Sequence, residues 1–97
     1  MPKGYWIARI DVTDPEGYKQ YVALNAKAFA KYDAKFLVRG GKFTSKHGTA
    51  RTRNVVIEFD SYDKALACYE SPEYREAEAV RNKYSTGEVI VIEGWDG

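Results

Sequence analysis

From Tyr5 to Val12 the chain alternates. Trp6, Ala8, Ile10 and Val12 fall on one side and Tyr5, Ile7, Arg9 and Asp11 on the other, the period-2 signature of a strand. The period then changes. Thr13-Asp14-Pro15-Glu16 offers a capping side chain, a proline for the first helical position and an acid for the positive helix end. A helix is predicted from there to about Tyr32, with an apolar stripe of Tyr18, Tyr21, Val22, Ala28, Phe29 and Tyr32. Lys35 to Lys42 reads as a second strand ended by Gly40-Gly41, Phe43 to Thr52 as a polar loop, and Arg53 to Asp60 as a third strand. In that third strand Val55, Ile57 and Phe59 oppose Val56, Glu58 and Asp60. Ser61 caps a second helix with Ala65, Leu66 and Tyr69 inward. Ser71-Pro72-Glu73 breaks and restarts it. The last helix ends near Tyr84, Gly87 closes a turn, and Glu88 to Glu93 is the final strand.

The order strand, helix, strand, strand, broken helix, strand predicts an α+β fold. The expected form is a ferredoxin-like βαββαβ unit, a four-stranded antiparallel sheet with the helices on one face. The other face then carries Tyr5, Ile7, Leu37 and Val56 with either Val89 and Val91 or Ile90 and Ile92. A contiguous apolar surface of that kind marks an interaction site, and the economical cover is a second copy of the chain, giving a twofold homodimer. Size argues the same way. The 97 residues are read as one domain, 1–97, and a chain this short buries only about 60–65% of its unfolded surface.

Composition narrows the chemistry. The formal net charge of +1 argues against a nucleic-acid partner, which requires a basic excess. One cysteine, Cys68, permits no internal disulfide and reads as a small core residue. No His/Cys cluster has metal-ligand spacing, no cofactor fingerprint is present, and neither metal nor cofactor is expected. Met1 to Ile10 lacks the apolar run of a signal peptide and nothing approaches a membrane span, so a cytoplasmic setting without membrane contact is expected. Eight tyrosines, each an apolar ring with a polar tip, suit pocket walls and half-buried packing.

Several constellations are candidates for function. If Phe36, Val38 and Gly40 share a face with Ile57 and Phe59, Arg39 and Glu58 meet on the opposite, dimer-facing side. There Arg39 would clamp a carboxylate or enolate oxygen and Glu58 would act as a base, or the two would form a structural ion pair. A ligand site of this kind needs a cavity of about 300 Å³ or more touching both. The central loop carries Lys42, Lys46, His47, Arg51 and Arg53 with no acid between Lys42 and Asn54, which suits a small anionic ligand or a solvated surface. His47, the only histidine, is a candidate base or an exposed loop residue. Gly40 and Gly41 permit a bulge or a close approach of backbone or ligand. Tyr69, Tyr74 and Arg81 gather around the helix break, the last two two turns apart on one face. Tyr5 and Tyr69 are candidate pocket walls, and Ser71 is a cap rather than a nucleophile, having no base near it. Trp6 and Trp95, near opposite chain ends, would meet if the terminal strands paired.

The series Arg39-Gly40-Gly41, Arg53-Asn54-Val55-Val56-Ile57-Glu58-Phe59, Tyr69-Glu70-Ser71-Pro72-Glu73-Tyr74, Arg81 and Glu93-Gly94 resembles the domain-of-unknown-function 1330 family. The resemblance runs over nearly the whole chain, from Tyr5-Trp6 to Glu93-Gly94. It implies a ferredoxin-like protomer of the dimeric α+β barrel group and a dimer, and no assigned activity. The wider group includes cofactor-free oxygenases, lactone isomerases and haem-dependent enzymes, a likeness of fold only. The family pattern carries an acid before the central-loop glycine, where this chain has His47 before Gly48. Two functions follow as expectations. One is a small-molecule pocket for an anionic or carbonyl-bearing ligand, as in a cofactor-free enzyme. The alternative is a non-catalytic ligand-binding or structural dimerisation module.

Overall fold

The computed structural model describes residues 2–96. Its elements are β1 (Gly4–Val12), α1 (Pro15–Lys31), β2 (Lys35–Arg39), β3 (Arg53–Phe59), α2 (Tyr62–Glu70), α3 (Pro72–Tyr84) and β4 (Ser85–Glu93). The sheet runs β2-β3-β1-β4 and every neighbouring pair is antiparallel, the ferredoxin-like arrangement expected from the element order. Trp6, Ile10, Val55, Ile57 and Phe59 from one sheet face bury against Tyr18, Tyr21, Ala28 and Phe29 of α1 and Ala65, Cys68, Tyr74 and Ala77 of α2 and α3.

Each helix starts where its cap stands. The Asp14 carboxylate accepts from the Gly17 amide at 3.2 Å and the Ser61 hydroxyl from the Lys64 amide at 3.1 Å. Ser71 does more: its Oγ accepts from the Tyr74 amide at 3.2 Å and donates to the Cys68 carbonyl at 2.7 Å, joining the end of α2 to the start of α3 while Pro72 fills the first helical position. Ser71→Ala is therefore expected to lower unfolding stability by about 1–2 kcal/mol, read as a shift in urea midpoint with an unchanged slope. A loss of only a few tenths of a kcal/mol would mean that water replaces the hydroxyl at this junction.

Two boundaries differ from the sequence reading. The second strand stops at Arg39, not Lys42, because Gly40 takes φ +68°, a left-handed conformation that favours glycine. The last strand begins at Ser85, not Glu88: α3 passes straight into β4, and Gly87 lies inside the ladder opposite Ile10 instead of closing a turn. A Cβ at Gly87 would stand 2.1 Å from the Arg9 carbonyl oxygen, so glycine there permits the approach of two strands.

The register of β2 carries the largest consequence. Phe36 pairs with Ile57, but Val38 pairs with Val56 and Arg39 with Val55, so Leu37 is an extra residue in a β-bulge. Leu37 and Val38 both remain exposed, at 49% and 43%. On the side of the sheet away from the helices, Tyr5 lies between Glu58 and Ile92, and Ile7 between Val56 and Ile90. Of the two alternatives for β4, the apolar pair on this open side is Ile90 and Ile92, both exposed.

Candidate functional site

A cleft opens between the sheet and helices α1 and α3. Its sheet side is Trp6, Ala8, Ile10, Phe36, Val55 and Ile57; α1 contributes Tyr18, Tyr21, Asn25 and Phe29, and α3 contributes Tyr74 and Arg81. Arg39 and Arg53 complete it. Three guanidiniums thus line one cleft with no Asp or Glu in its wall. The cleft holds about 30 Å³ of space, room for one or two water molecules.

The three arginines are held differently. Arg81 is 8% exposed; its Nη1 donates to the Tyr74 hydroxyl at 2.7 Å and its Nη2 to the Tyr69 hydroxyl at 3.0 Å. Tyr69 in turn donates to Glu78 at 2.6 Å, and Glu78 lies 3.6 Å from Arg81. Both terminal nitrogens of this buried charge thus have partners, as low dielectric demands. Arg53 is half-buried beside the Tyr18 ring, its Cζ 5.7 Å from the ring centroid, and its Nε is buried without a hydrogen-bond partner. Among the described residues no carboxylate approaches Arg53 or Arg39 within salt-bridge distance. Arg39 is exposed and stacks over Phe36 at 4.2 Å. Gly40 explains part of this packing: a Cβ there would meet Arg53 Nη1 at 2.8 Å.

Burial sets the protonation of the tyrosines. It pushes the Tyr74 hydroxyl far up, with Tyr21 adding to it, and raises Tyr18 and Tyr69 as well; all three are neutral donors at physiological pH. Cys68 is pushed up to about 12 by burial and by nearby Glu73. It is an inert core thiol, as read from the sequence.

The expected Arg39–Glu58 constellation does not form. The bulge at Leu37 turns Arg39 onto the helix side opposite Val55, while Glu58 stays on the open side, where Lys35 and Tyr5 are its neighbours across the ladder. Tyr5 donates to Glu58 at 3.3 Å, and burial together with that carboxylate raises the Tyr5 hydroxyl above its usual value. Tyr5 and Glu58 therefore sit apart from Arg39, Arg53, Tyr74 and Arg81. The cleft at Arg39 holds about 30 Å³, far below ligand size, and Glu58 is not in its wall.

The central loop is also less cationic than it reads. Arg51 pairs with Asp11 at 2.8 Å and with Glu88, and the Thr52 amide donates to Asp11. The Thr52 amide, followed by Arg51, holds the Asp11 carboxyl below its usual range, and Arg51 does the same for Glu88. Arg9 reaches the Thr49 carbonyl at 3.1 Å. These bonds fasten the loop to the Arg9–Asp11 end of β1, whereas Glu58 pairs with Tyr5 at the other end. His47 is exposed on that loop and is not brought to Glu58. Gly41 has open space around it. Tyr69 reaches the guanidinium of Arg81 without lining the cleft wall itself. Trp95 is 92% exposed while Trp6 is buried at 1%, so the two indoles do not stack.

The site expected from the sequence does not include Tyr18, Tyr21 or Asn25, all three of which line the cleft. A signal existed: Asn25 is a polar residue seven positions after Tyr18 on the buried stripe of α1, and it is 5% exposed. A buried amide on an apolar helix face calls for polar surroundings, and Asn25 lines the cleft together with the three arginines.

Residues 3–95 match the family described as Domain of unknown function (DUF1330). The chain belongs to that family. Solved structures share the family member's fold. A protein of unknown function from Rhodopseudomonas palustris is 15% identical, with a TM-score of 0.76 over 99% of this chain and 85% of that one. SnoaB, a cofactor-independent oxygenase from Streptomyces nogalater, is 15% identical, with a TM-score of 0.65 over 100% of this chain and 97% of its own. A dimeric ferredoxin-like protein of unknown function from Thermobifida fusca is 18% identical, with a TM-score of 0.61 over 95% and 89%. No protein of curated function matches the chain. At these identities the likeness is one of fold, and it agrees with the architecture the family resemblance implied. Among the described residues no helix is long and apolar enough to cross a membrane.

Proposed function

We propose that this family member is a homodimer whose protomers each bind a small anionic, largely apolar molecule in the cleft between sheet and helices. The observation that carries this reading is the wall itself: Arg39, Arg53 and Arg81 face one cleft that contains no carboxylate, and the Arg53 Nε is buried unpartnered. A buried donor on a charged group is expensive to leave unmatched, and an acceptor oxygen on a ligand would match it. Trp6, Phe29, Phe36 and Tyr18 supply apolar walls. Ligand pockets usually occupy about 300–1,000 Å³, so entry requires the cleft to widen. Arg39, exposed and resting on Phe36, is the side chain placed to swing aside and then close over the anion.

The dimer is supported by the open sheet face, where Ile7, Leu37, Val38, Val56, Ile90 and Ile92 lie together. Apolar faces of this extent mark interfaces, and the Thermobifida fusca relative is described as dimeric. Glu58 with Tyr5 then belongs to the subunit interface, not to the ligand cleft. A reaction at the cleft would be one that develops negative charge on a carbonyl-bearing substrate, since the wall offers donors to an oxyanion.

Benzoate is the direct probe. Titrated by NMR into the wild type, it is expected to bind at least tenfold more tightly than neutral benzamide of the same shape, and Arg53→Met is expected to abolish the difference. Equal binding of the two molecules, or an Arg53→Met variant that keeps the preference, overturns the anion-binding reading.

A further inference from the structure

The hydrogen bonds behind the cleft have a direction. Arg81 can only donate, so the Tyr74 oxygen is an acceptor from Nη1 at 2.7 Å. Tyr74 itself is 1% exposed, and among the described residues its own proton has one partner in reach, the Tyr21 oxygen at 2.7 Å. The reverse arrangement, with Tyr21 donating, would leave the Tyr74 proton buried and unmatched, at the expense that entails. The chain therefore runs Arg81 to Tyr74 to Tyr21. The second arm of the guanidinium ends differently. Tyr69 accepts from Nη2 and passes its proton to the Glu78 carboxylate, so that arm is closed within the protein.

The Tyr21 arm has no such end. Its hydroxyl accepts from Tyr74 and has no second partner among the described residues, while its ring forms part of the cleft wall. Its proton has no acceptor among the described residues, which leaves it free for an acceptor in the cleft that Tyr21 lines. A hydroxyl at the end of a chain headed by a cation is polarised by every bond before it, so it is a stronger donor than an isolated tyrosine. The Tyr18 ring is near both groups, 5.2 Å from the Tyr21 ring centroid and 5.7 Å from the guanidinium carbon of Arg53, whose Nε is unmatched. The cleft thus has two open donors on residues that pack near one aromatic ring, with Trp6, Phe29 and Phe36 as further flat walls.

We propose that Tyr21 is the residue that reads the ligand, and that the ligand class is an aromatic carboxylate. One carboxylate oxygen accepts from the Tyr21 hydroxyl, the other meets Arg53, and the ring lies against the aromatic wall. A planar anion with two acceptor oxygens on a flat apolar body satisfies both open donors at once. A phosphate or sulfate lacks the flat apolar body that Trp6, Phe29 and Phe36 would cover. This inference rests on the reading of the cleft as an anion site and adds to it a specific donor, a specific direction and a ligand class.

The test uses full-length protein labelled with ¹³C at the tyrosine Cζ and titrated with benzoate. The Tyr21 resonance is expected to move as the site saturates. Tyr21→Phe keeps the ring but removes the hydroxyl, and it is expected to weaken benzoate by about tenfold or more while leaving benzamide unchanged. Tyr74→Phe, which cuts the chain behind Tyr21, is expected to weaken benzoate by a smaller factor in the same direction. An unmoved Tyr21 resonance at saturation, or a Tyr21→Phe variant that binds benzoate as tightly as the wild type, overturns the inference. If Tyr21→Phe does not fold, the labelled wild type decides alone. Benzoate binding retained in Tyr21→Phe but lost in Arg53→Met removes Tyr21 from the site and leaves the anion cleft standing. Binding indifferent to both substitutions removes the cleft reading itself.

Discussion

Ile7→Glu is expected to turn the proposed dimer into a folded monomer at micromolar concentration. Ile7 stands at the middle of the open sheet face, opposite Val56 on one neighbouring strand and Ile90 on the other. In the proposed dimer a carboxylate at that position is taken out of water with no cation directly across the ladder. Desolvating an unpaired charge costs several kcal/mol even after local relaxation. Taking about 4 kcal/mol, self-association weakens by about a thousandfold. The protomer's own core is spared, because Ile7 points away from Trp6, Ile57 and the helices. Sedimentation equilibrium checks the outcome, with circular dichroism confirming that the fold persists. A variant that remains a dimer with wild-type affinity would place the interface elsewhere, and a wild-type chain that sediments as a monomer would remove the dimer altogether.

Trp6→Ala is expected to lower unfolding stability by about 3–5 kcal/mol, a large share of the 5–15 kcal/mol typical of a native protein. Trp6 sits at the centre of an aromatic cluster. Its ring centroid lies 4.8 Å from Tyr74, 5.1 Å from Tyr69 and 5.2 Å from Phe29, all edge-on, and 5.4 Å from Phe59. Its indole N–H donates to the Ala65 carbonyl at 2.8 Å. Truncation removes all of these contacts and leaves a cavity walled by rigid rings that cannot collapse into it. Urea unfolding followed by circular dichroism is the measurement, because Trp6 is itself the buried fluorophore. A loss under 1 kcal/mol would mean that the surrounding rings repack freely. The same substitution is expected to disturb the cleft, since Trp6 and Tyr74 both line it.

Much of the architecture follows from short stretches of chain. Asp14, Ser61 and Ser71 start helices because each side chain satisfies an amide three residues further on, a bond made within one turn and readable without a tertiary context. The alternation from Tyr5 to Val12 and from Arg53 to Phe59 separates a buried from an open face for the same local reason. The β2 strand is different. Phe36, Leu37 and Val38 are consecutive apolar residues, so alternation is compatible with either phase, and a one-residue slip moves every later side chain to the other face. The bulge at Leu37 settles the phase and sends Arg39 to the helix side. That single residue converts an expected Arg39–Glu58 pair into a cluster of Arg39, Arg53 and Arg81 across the sheet from Glu58.

The basic loop teaches a similar lesson. Arg51 reads as free charge along the chain, yet its partners Asp11 and Glu88 are supplied by β1 and β4, 40 and 37 residues away. Sequence proximity says nothing about such partners, whose positions depend on strand order.

The amino-acid sequence by itself determined the element order, the capped helix starts, the two-faced sheet and the family to which the chain belongs, because each of these depends on residues close together or on a pattern spread over the whole length. Only the tertiary structure decided which charges meet. The three guanidiniums come from β2, β3 and α3, and their common cleft exists because a bulge turns one strand over and the packing of α1 brings Tyr18 and Tyr21 against them. Interactions between elements depend on register and docking angle, and these are set by the packing of the whole molecule.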